Sequence, residues 1–158
     1  MFDNIDLKGK TKEEKYQLLI PQIEALIEGE DDSISNMANI SAILKQAFDF
    51  LWVGFYIVKN DILVLGPFQG SVACTRIQKG KGVCGTAWDR KETIIVEDVN
   101  NFSGHIACSS LSKSEIVVPL FDKNDNVIAV LDVDSEKLGL FDKVDAVFLE
   151  KISKLFIY

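Results

Sequence analysis

The chain lacks the features that mark exported, membrane-spanning and nucleic-acid-binding proteins. Its N-terminus, Met1–Asn4, has no charged segment followed by an apolar one, and no apolar run is long enough to span a bilayer. The net charge is −7 without any basic stripe, which argues against nucleic acid or an anionic membrane as a partner. We therefore expect a cytoplasmic protein that binds neither of them.

Cysteine and histidine are scarce, with three cysteines and one histidine in the chain. Three thiols without an export signal are not expected to form a disulfide framework. A zinc site built from Cys74, Cys84, His105 and Cys108 is an alternative that stays open. The absence of a Cys-x-x-Cys pair counts against it, because structural zinc sites normally contain one.

The overall composition is that of one soluble domain. The chain has 158 residues, of which 47% are hydrophobic and 26% are charged, enough to bury a single core. No linker, internal repeat or low-complexity tract divides it. We predict one domain over residues 1–158.

Amphipathic spacing predicts helices at both ends of the chain. Apolar residues recur every three or four positions over 12–28, where Thr11 is a plausible N-cap, and again over 33–47. Pro21 is expected to kink the first helix or to start it afresh. The same spacing predicts a final helix over 142–155.

The middle of the chain predicts strands joined by short turns. Helices at both ends with hairpins between them predict an α+β fold, in which helices pack on an antiparallel sheet. The expected hairpins and single strands are 52–58 with 62–66, 72–77, 93–96, and 115–121 with 127–134.

Two of the cysteines lie in segments that favour a reactive thiol. Cys84 is flanked by glycines at the start of a short helical stretch, and such turns expose backbone N–H groups that favour a thiolate. Cys108 lies in 97–114, a polar segment without periodicity, and long irregular segments are usually functional. A redox pair needs an accessible nucleophile and a second thiol that can reach it. The alternative is three unrelated structural cysteines.

Three carboxylates and two aromatic residues complete the candidate site. Strand alternation places Asp132 and Asp134 on one face, and Glu115 begins the partner strand of the same hairpin. Carboxylates at one strand end repel one another, so one retains a proton near neutral pH or all await a cation such as an ammonium group. Trp52 and Tyr56 also share a strand face and could wall an apolar pocket. A solvated strand end and an ordinary core pair are the alternatives.

Six segments together resemble the free methionine-(R)-sulfoxide reductases, which are stand-alone GAF-domain proteins. The resemblance runs from about residue 13 to the C-terminal helix. It implies a GAF-like fold with a central antiparallel sheet, the N- and C-terminal helices on one side and active-site loops on the other. The segments that carry it are Trp52–Tyr56, Leu65–Gly70, Gly82–Ala87, Gly104–Cys108, Ser114–Leu120 and Leu131–Ser135.

The resemblance also implies an activity and roles for the thiols. Such enzymes reduce free L-methionine-(R)-sulfoxide, not protein-bound residues, under oxidative stress. By the resemblance, Cys108 matches the nucleophile, Cys84 the resolving cysteine of an intramolecular disulfide, and Cys74 an auxiliary thiol that relays it. Thioredoxin is the implied reductant, and neither a metal nor an organic cofactor is implied. Relatives are often dimers, so a homodimer stays open.

The chemistry of sulfoxide reduction assigns the other side chains. Asp134 is the expected acid, because the sulfoxide oxygen leaves poorly unless it is protonated. Glu115 and Asp132 are expected to hold the substrate ammonium, and Trp52 and Tyr56 to cup its methyl and thioether end.

The chain departs from the family pattern at one position beside the expected nucleophile, and two other functions are alternatives to the reductase. Family members commonly carry an acidic residue after the nucleophile, where this chain has Ser109, which affects the pKa expected for Cys108. A GAF module that binds a cyclic nucleotide or an amino acid is one alternative function. A redox sensor that forms a Cys84–Cys108 disulfide without turnover is the other.

Overall fold

A computed structural model describes residues 6–155 of the chain. Within this range it contains four α-helices and six β-strands, which follow the predicted order of helices, hairpins and a final helix. The elements are α1 (Lys12–Ile27), α2 (Ser33–Phe48), β1 (Trp52–Lys59), β2 (Ile62–Gln69), β3 (Arg76–Ile77), α3 (Gly82–Arg90), β4 (Ile94–Val96), a 3-10 helix (Val99–Asn101), β5 (Ser114–Phe121), β6 (Val127–Ser135) and α4 (Lys143–Ser153).

The six strands form one antiparallel sheet in the order β3-β2-β1-β6-β5-β4. Both predicted hairpins are present, and β1 pairs with β6 to join them at the centre. The β1–β2 turn places Asn60 and Asp61 at φ values of 50° and 57°, the left-handed geometry that matches the twist of a two-residue hairpin. The predicted α+β architecture is confirmed.

The two faces of the sheet bury different sets of side chains. In β1, Val53 and Phe55 point into the core that α1, α2 and α4 cover. Trp52 and Tyr56 point to the opposite face, where they pack with α3 and the neighbouring loops. This division follows from the two-residue repeat of a strand. It leaves the end of one sheet face free for a site beneath the loops.

The terminal helices are fixed to each other by a buried polar contact. Asp145 near the start of α4 accepts a hydrogen bond from the Tyr16 hydroxyl at 2.9 Å and lies 2.5 Å from the Lys12 ammonium. Thr11 is the N-cap of α1, as predicted, and accepts a hydrogen bond from the backbone N–H of Glu14. No helix within the described range is long and apolar enough to cross a membrane.

Two predicted elements differ in the structure. Helix α1 continues through Pro21, which is exposed, instead of breaking there. The strand predicted over 72–77 is reduced to β3, so Cys74 lies in an irregular segment. The backbone carbonyl of Cys74 accepts a hydrogen bond from the Tyr56 hydroxyl. The stretch 97–113 is irregular apart from the 3-10 helix, as expected.

Candidate active site

The pairing of three central strands gathers polar and aromatic side chains at one end of the sheet. Trp52 lies opposite Asp134, and Gly54 lies opposite Asp132, across the β1–β6 pair. Glu115 lies opposite Asp134 across β5–β6. Because side chains alternate along each strand, all of these positions share the face that carries α3. The candidate site is therefore built on rigid strands.

An aromatic wall stands at one side of this site. The Trp52 ring stacks between two others, with centroids 6.0 Å from Tyr56 and 5.2 Å from Phe68. A Cβ atom at Gly54 would lie 2.3 Å from the Cβ of Phe68 and 2.7 Å from the Trp52 ring. Glycine is therefore required at this position for the rings to stack. The Trp52 indole N–H is also fixed, because it donates to the carbonyl of Ser71.

A disulfide between Cys74 and Cys108 closes over the site. Their Cα atoms are 5.8 Å apart, and the bond links the segment after β2 to the irregular segment before β5. Cys108 is exposed and Cys74 is half-buried. The segment that carries Cys108 rests on the start of α3, where Ile106 packs so closely on Gly82 that an added Cβ would lie 3.1 Å from it.

Cys84 does not take the place that the sequence analysis expected. The expected Cys84–Cys108 bond is absent from the described residues, because Cys108 is bonded to Cys74 and Cys84 is a buried free thiol, 3% exposed. The flanking glycines serve packing: a Cβ at Gly85 would lie 2.3 Å from the carbonyl oxygen of Gln78. This tight first turn of α3 holds Cys84 beneath the site instead of exposing it.

The Cys84 thiol lies among carboxylates and stays protonated. Its sulfur and one oxygen each of Glu115 and Asp132 lie within 4.8 Å of one another. Burial raises the pKa of Cys84 well above its usual range, and the two carboxylates raise it further. A thiol with two carboxylates is also a donor set that could bind a divalent cation. The expected thiolate at a helix start is thus opposed by burial and like charge.

The carboxylates themselves are held where ionisation is costly. Burial raises the pKa of Asp132 and Glu115 well above the usual range, and Asp134 raises both further. The Oδ1 atom of Asp132 is buried without a hydrogen-bond partner within the described residues. Nε2 of His105 lies 3.3 Å from Oε2 of Glu115. The cluster thus offers a buried acceptor to a hydrogen-bond donor or a cation.

Asp134 differs from its two neighbours. Burial raises its pKa to about 6, while the Ser112 hydroxyl and His105 both favour the ionised form. The Ser112 hydroxyl donates to Oδ1 of Asp134 at 2.6 Å. A carboxyl group with a pKa near 6 exchanges a proton readily close to neutral pH. Ser112 was not placed at this site from the sequence, and His105 was considered only as a ligand of the alternative zinc site, because only folding brings the irregular segment onto β6.

Seven of the eight side chains predicted from the sequence line one pocket, and Cys74 joins them through its bond to Cys108. Ser112 and His105 also line it, together with apolar residues from the surrounding loops. The seven are Trp52, Tyr56, Cys84, Cys108, Glu115, Asp132 and Asp134. The pocket therefore combines an aromatic wall, an acidic floor and an oxidised thiol pair at its mouth.

Comparison with known proteins shows the family. The GAF domain model matches residues 38–156. The free methionine-R-sulfoxide reductase of Saccharomyces cerevisiae is 45% identical over 152 residues, which cover 91% of this chain and 84% of that protein. An X-ray structure of free methionine-R-sulfoxide reductase from Neisseria meningitidis, in complex with its substrate, is 49% identical with a TM-score of 0.93 and covers 97% of this chain and 92% of that one. The chain belongs to the GAF-domain free methionine-(R)-sulfoxide reductases.

Membership in this reductase family confirms the resemblance drawn from the six sequence segments. It also confirms the GAF-like fold and the classification of the chain as an oxidoreductase. A further relative of this reductase, the GAF domain-containing protein A of Dictyostelium discoideum, is 57% identical over 156 residues, which cover 98% of each chain.

Proposed function

We propose that this reductase converts free L-methionine-(R)-sulfoxide to L-methionine with Cys108 as the nucleophile. The observation that supports this most directly is the position of Cys108, at the mouth of the acidic and aromatic pocket and bonded to a second cysteine. The relatives from Saccharomyces cerevisiae and Neisseria meningitidis carry the name of this activity.

The acidic floor of the pocket suits the ammonium group of a free amino acid. Asp132 has a buried oxygen without a partner, and Glu115 lies beside it. An ammonium group would donate hydrogen bonds to both carboxylates and reduce their mutual repulsion. Trp52 and Tyr56 would contact the methyl and thioether end. A residue within a peptide chain has no α-ammonium group, which accounts for selection of the free amino acid.

The reduction step uses Cys108 and Asp134. The thiolate of reduced Cys108 attacks the sulfoxide sulfur and Asp134 donates a proton to the oxygen, so that the sulfur–oxygen bond breaks and hydroxide leaves a sulfonium bonded to Sγ of Cys108. The hydroxide then attacks Sγ of Cys108 and the sulfur–sulfur bond breaks, which releases the thioether methionine with both electrons of that bond and leaves Cys108 as a sulfenic acid. A pKa of about 6 suits Asp134 for this role, because it holds its proton more tightly than an ordinary carboxyl group.

Cys74 is the resolving thiol in this proposal. Its sulfur attacks the sulfenic acid of Cys108, water leaves, and the disulfide seen in the structure forms. This revises the role that the sequence resemblance implied for Cys84, which is buried and bonded to neither cysteine. Cys84 would instead contact Asp132 as a protonated thiol. Thioredoxin would then reduce the Cys74–Cys108 bond, and we expect this cycle to operate in the cytoplasm under oxidative stress.

A coupled assay tests the activity. NADPH consumption is followed with thioredoxin and thioredoxin reductase, offering the (R) and (S) epimers of free methionine sulfoxide separately. We expect turnover with the (R) epimer alone. No turnover with either epimer, from protein with reduced thiols and a working reductant, would contradict the proposal and favour a redox sensor. A homodimer stays a prediction that sedimentation can check.

Cysteine variants in the same assay test the roles of the thiols. Cys108→Ser is expected to lose all turnover. Cys74→Ser is expected to release one methionine per chain and to stop with a sulfenic acid that dimedone labels. Cys84→Ser keeps a hydrogen-bond donor and is expected to continue cycling. Continued cycling of Cys74→Ser together with arrest of Cys84→Ser would restore the original assignment of Cys84.

A further inference from the structure

Three side chains on the floor of the pocket bring metal-binding atoms together. The Cys84 sulfur and one carboxylate oxygen each of Glu115 and Asp132 lie within 4.8 Å of one another, and all three side chains are buried. They come from three different elements, namely the first turn of α3 and the paired strands β5 and β6. Packed helices and strands hold such ligand atoms more precisely than loops do.

The spacing of these atoms suits one small cation. Zinc lies about 2.3 Å from a thiolate sulfur and about 2.0–2.2 Å from a carboxylate oxygen, so two ligand atoms of a tetrahedral ion are roughly 3.4–3.6 Å apart. The three atoms therefore need to approach one another by little more than about 1 Å. The pocket encloses about 40 Å³, which is enough for one ion and a bound water molecule.

The acidic groups of the floor outnumber the basic groups that could neutralise them. Oδ1 of Asp132 is buried without a hydrogen-bond partner within residues 6–155. Among the described residues that line the pocket, Glu115, Asp132 and Asp134 are acidic and none is Lys or Arg. The one histidine among them, His105, places Nε2 3.3 Å from Oε2 of Glu115, where it could orient this carboxylate as an outer partner orients a metal ligand. A cation would supply the partner that the buried oxygen of Asp132 needs.

We propose that Cys84, Glu115 and Asp132, which we call the floor cluster, bind Zn²⁺ and that the ion excludes the amino-acid substrate. A thiolate ligand favours zinc over Mg²⁺ and Ca²⁺, which prefer oxygen ligands alone. The ion displaces the proton of the Cys84 thiol to solvent and takes water as its fourth ligand. The exclusion rests on the proposed function, because the substrate ammonium would use the same two carboxylates.

The floor cluster differs from the zinc site that the sequence left open. That site uses Cys74 and Cys108 as ligands, and their sulfurs are bonded to each other here. The floor cluster contains neither of them, so its ligands are all present in the oxidised chain. Because the chain has three cysteines, Cys84 supplies the one thiol that remains once this disulfide has formed.

Cobalt titration of the oxidised chain tests the site without any turnover. Co²⁺ substitutes for Zn²⁺ and, when a thiolate binds it, shows a sulfur-to-metal charge-transfer band in the near ultraviolet. We expect one equivalent of Co²⁺ to produce this band, and Zn²⁺ but not Mg²⁺ to remove it. Oxidised Cys84→Ser should show no band. Absence of the band from the oxidised original chain would overturn the proposal.

Two carboxamide variants separate metal ligation from general attraction between charges. Asp132→Asn removes a proposed ligand, whereas Asp134→Asn removes the same kind of acid from the same strand without removing a ligand. We expect Asp132→Asn to weaken cobalt binding by roughly tenfold or more, because changes even to the outer partners of metal ligands cost about 10–100-fold. Asp134→Asn should weaken it less. Equal losses in the two variants would overturn direct ligation by Asp132.

Competition with the amino acid tests the exclusion. In the double variant Cys74→Ser and Cys108→Ser, Cys84 is the only cysteine and the proposed nucleophile is gone. Free L-methionine-(R)-sulfoxide is expected to remove the cobalt band from this variant. Alanine at the same concentration is the control, because it binds cobalt in solution through the same amino and carboxylate groups and lacks the sulfoxide side chain.

The outcomes of this competition distinguish the two proposals. A band that persists with the sulfoxide, or that alanine removes equally, would overturn the exclusion when the coupled assay shows turnover of the original chain. Absence of turnover in that assay would instead contradict the proposed function, while the cobalt band of the oxidised chain decides the metal site by itself.

Discussion

The pKa of Asp134 is set by opposing effects of burial and of two neighbouring side chains. Burial raises its pKa to about 6, whereas the Ser112 hydroxyl, which donates to the carboxylate, and His105 favour ionisation. A side chain that must deliver a proton near neutral pH benefits from such a balance. If the pKa were lower, Asp134 would rarely hold the proton that the proposed mechanism transfers to the sulfoxide oxygen.

The pH dependence of kcat/KM should report this balance. If Asp134 is the acid, kcat/KM falls as the pH rises through about 6, because the proton is lost. Ser112→Ala removes a donor that stabilises the carboxylate, so the pKa of Asp134 rises and the fall moves to higher pH. Asp134→Asn should be nearly inactive.

A neighbouring serine provides the control for this measurement. Ser109 lines the same pocket, but its hydroxyl accepts a hydrogen bond from the Leu111 N–H and forms none with Asp134 in the part of the chain that the structure describes. Ser109→Ala should therefore leave the midpoint of the profile in place. Equal midpoints in Ser112→Ala and the original chain would exclude Asp134 as the group that is titrated.

At the scale of elements, glycines decide how closely the parts of the site approach. Gly54 in β1 allows the Trp52 ring to stack against Phe68, and Gly85 in α3 allows the helix start to pack on the carbonyl of Gln78. Glycine within a strand often marks such a close approach. The aromatic wall and the buried position of Cys84 both depend on a glycine, which has no side chain to prevent the close contact.

Gly54→Ala should therefore affect both stability and substrate binding. The added methyl group would lie 2.3 Å from Cβ of Phe68, so the strand or the ring must move. We expect a loss of about 1–3 kcal/mol in the free energy of unfolding and a higher KM for the sulfoxide, because Trp52 is displaced. Denaturant titration and steady-state kinetics measure the two effects.

A second glycine separates steric from conformational effects. Gly29 follows α1 at a φ of 76°, with no atom within 4 Å of an added Cβ. Gly29→Ala should cost about 1 kcal/mol through backbone strain alone and leave the KM unchanged. If Gly54→Ala behaved in the same way, the close packing of the Trp52 and Phe68 rings would not depend on glycine.

For the whole molecule, the proposed catalytic cycle makes and breaks a covalent cross-link. The Cys74–Cys108 bond joins positions 34 residues apart in sequence, on segments from the two halves of the sheet. It forms when the thiol pair is oxidised and is absent when the pair is reduced. Oxidation therefore restricts the unfolded chain.

The oxidised chain should be the more stable form. Closing a loop of this length removes unfolded-state entropy worth about 2–4 kcal/mol. Urea unfolding of oxidised and dithiothreitol-treated protein should show a higher midpoint for the oxidised form. Cys74→Ser should show no difference between the two conditions. Identical midpoints for both forms of the original chain would mean that the bond does not constrain its unfolded state.

Much of the candidate site follows from the sequence alone, because strand alternation is a local property. A two-residue repeat suffices to place Trp52 with Tyr56 and Asp132 with Asp134, once the strands are recognised. The turn residues between Lys59 and Ile62 likewise indicate the hairpin without knowledge of the fold. The terminal helices were predicted for the same reason, because apolar spacing and capping residues are local features of each segment's sequence.

The partner of Cys108 was decided by the tertiary structure. Which thiols meet depends on how two irregular segments cross above the sheet, and neither segment has a periodicity that fixes its path. The burial of Cys84 depends on the close contact of Gly85 with Gln78, and the pKa of Asp134 depends on Ser112, 22 residues away in sequence. These contacts join parts of the chain that are distant in sequence, so they exist only once the sheet and α3 have packed together.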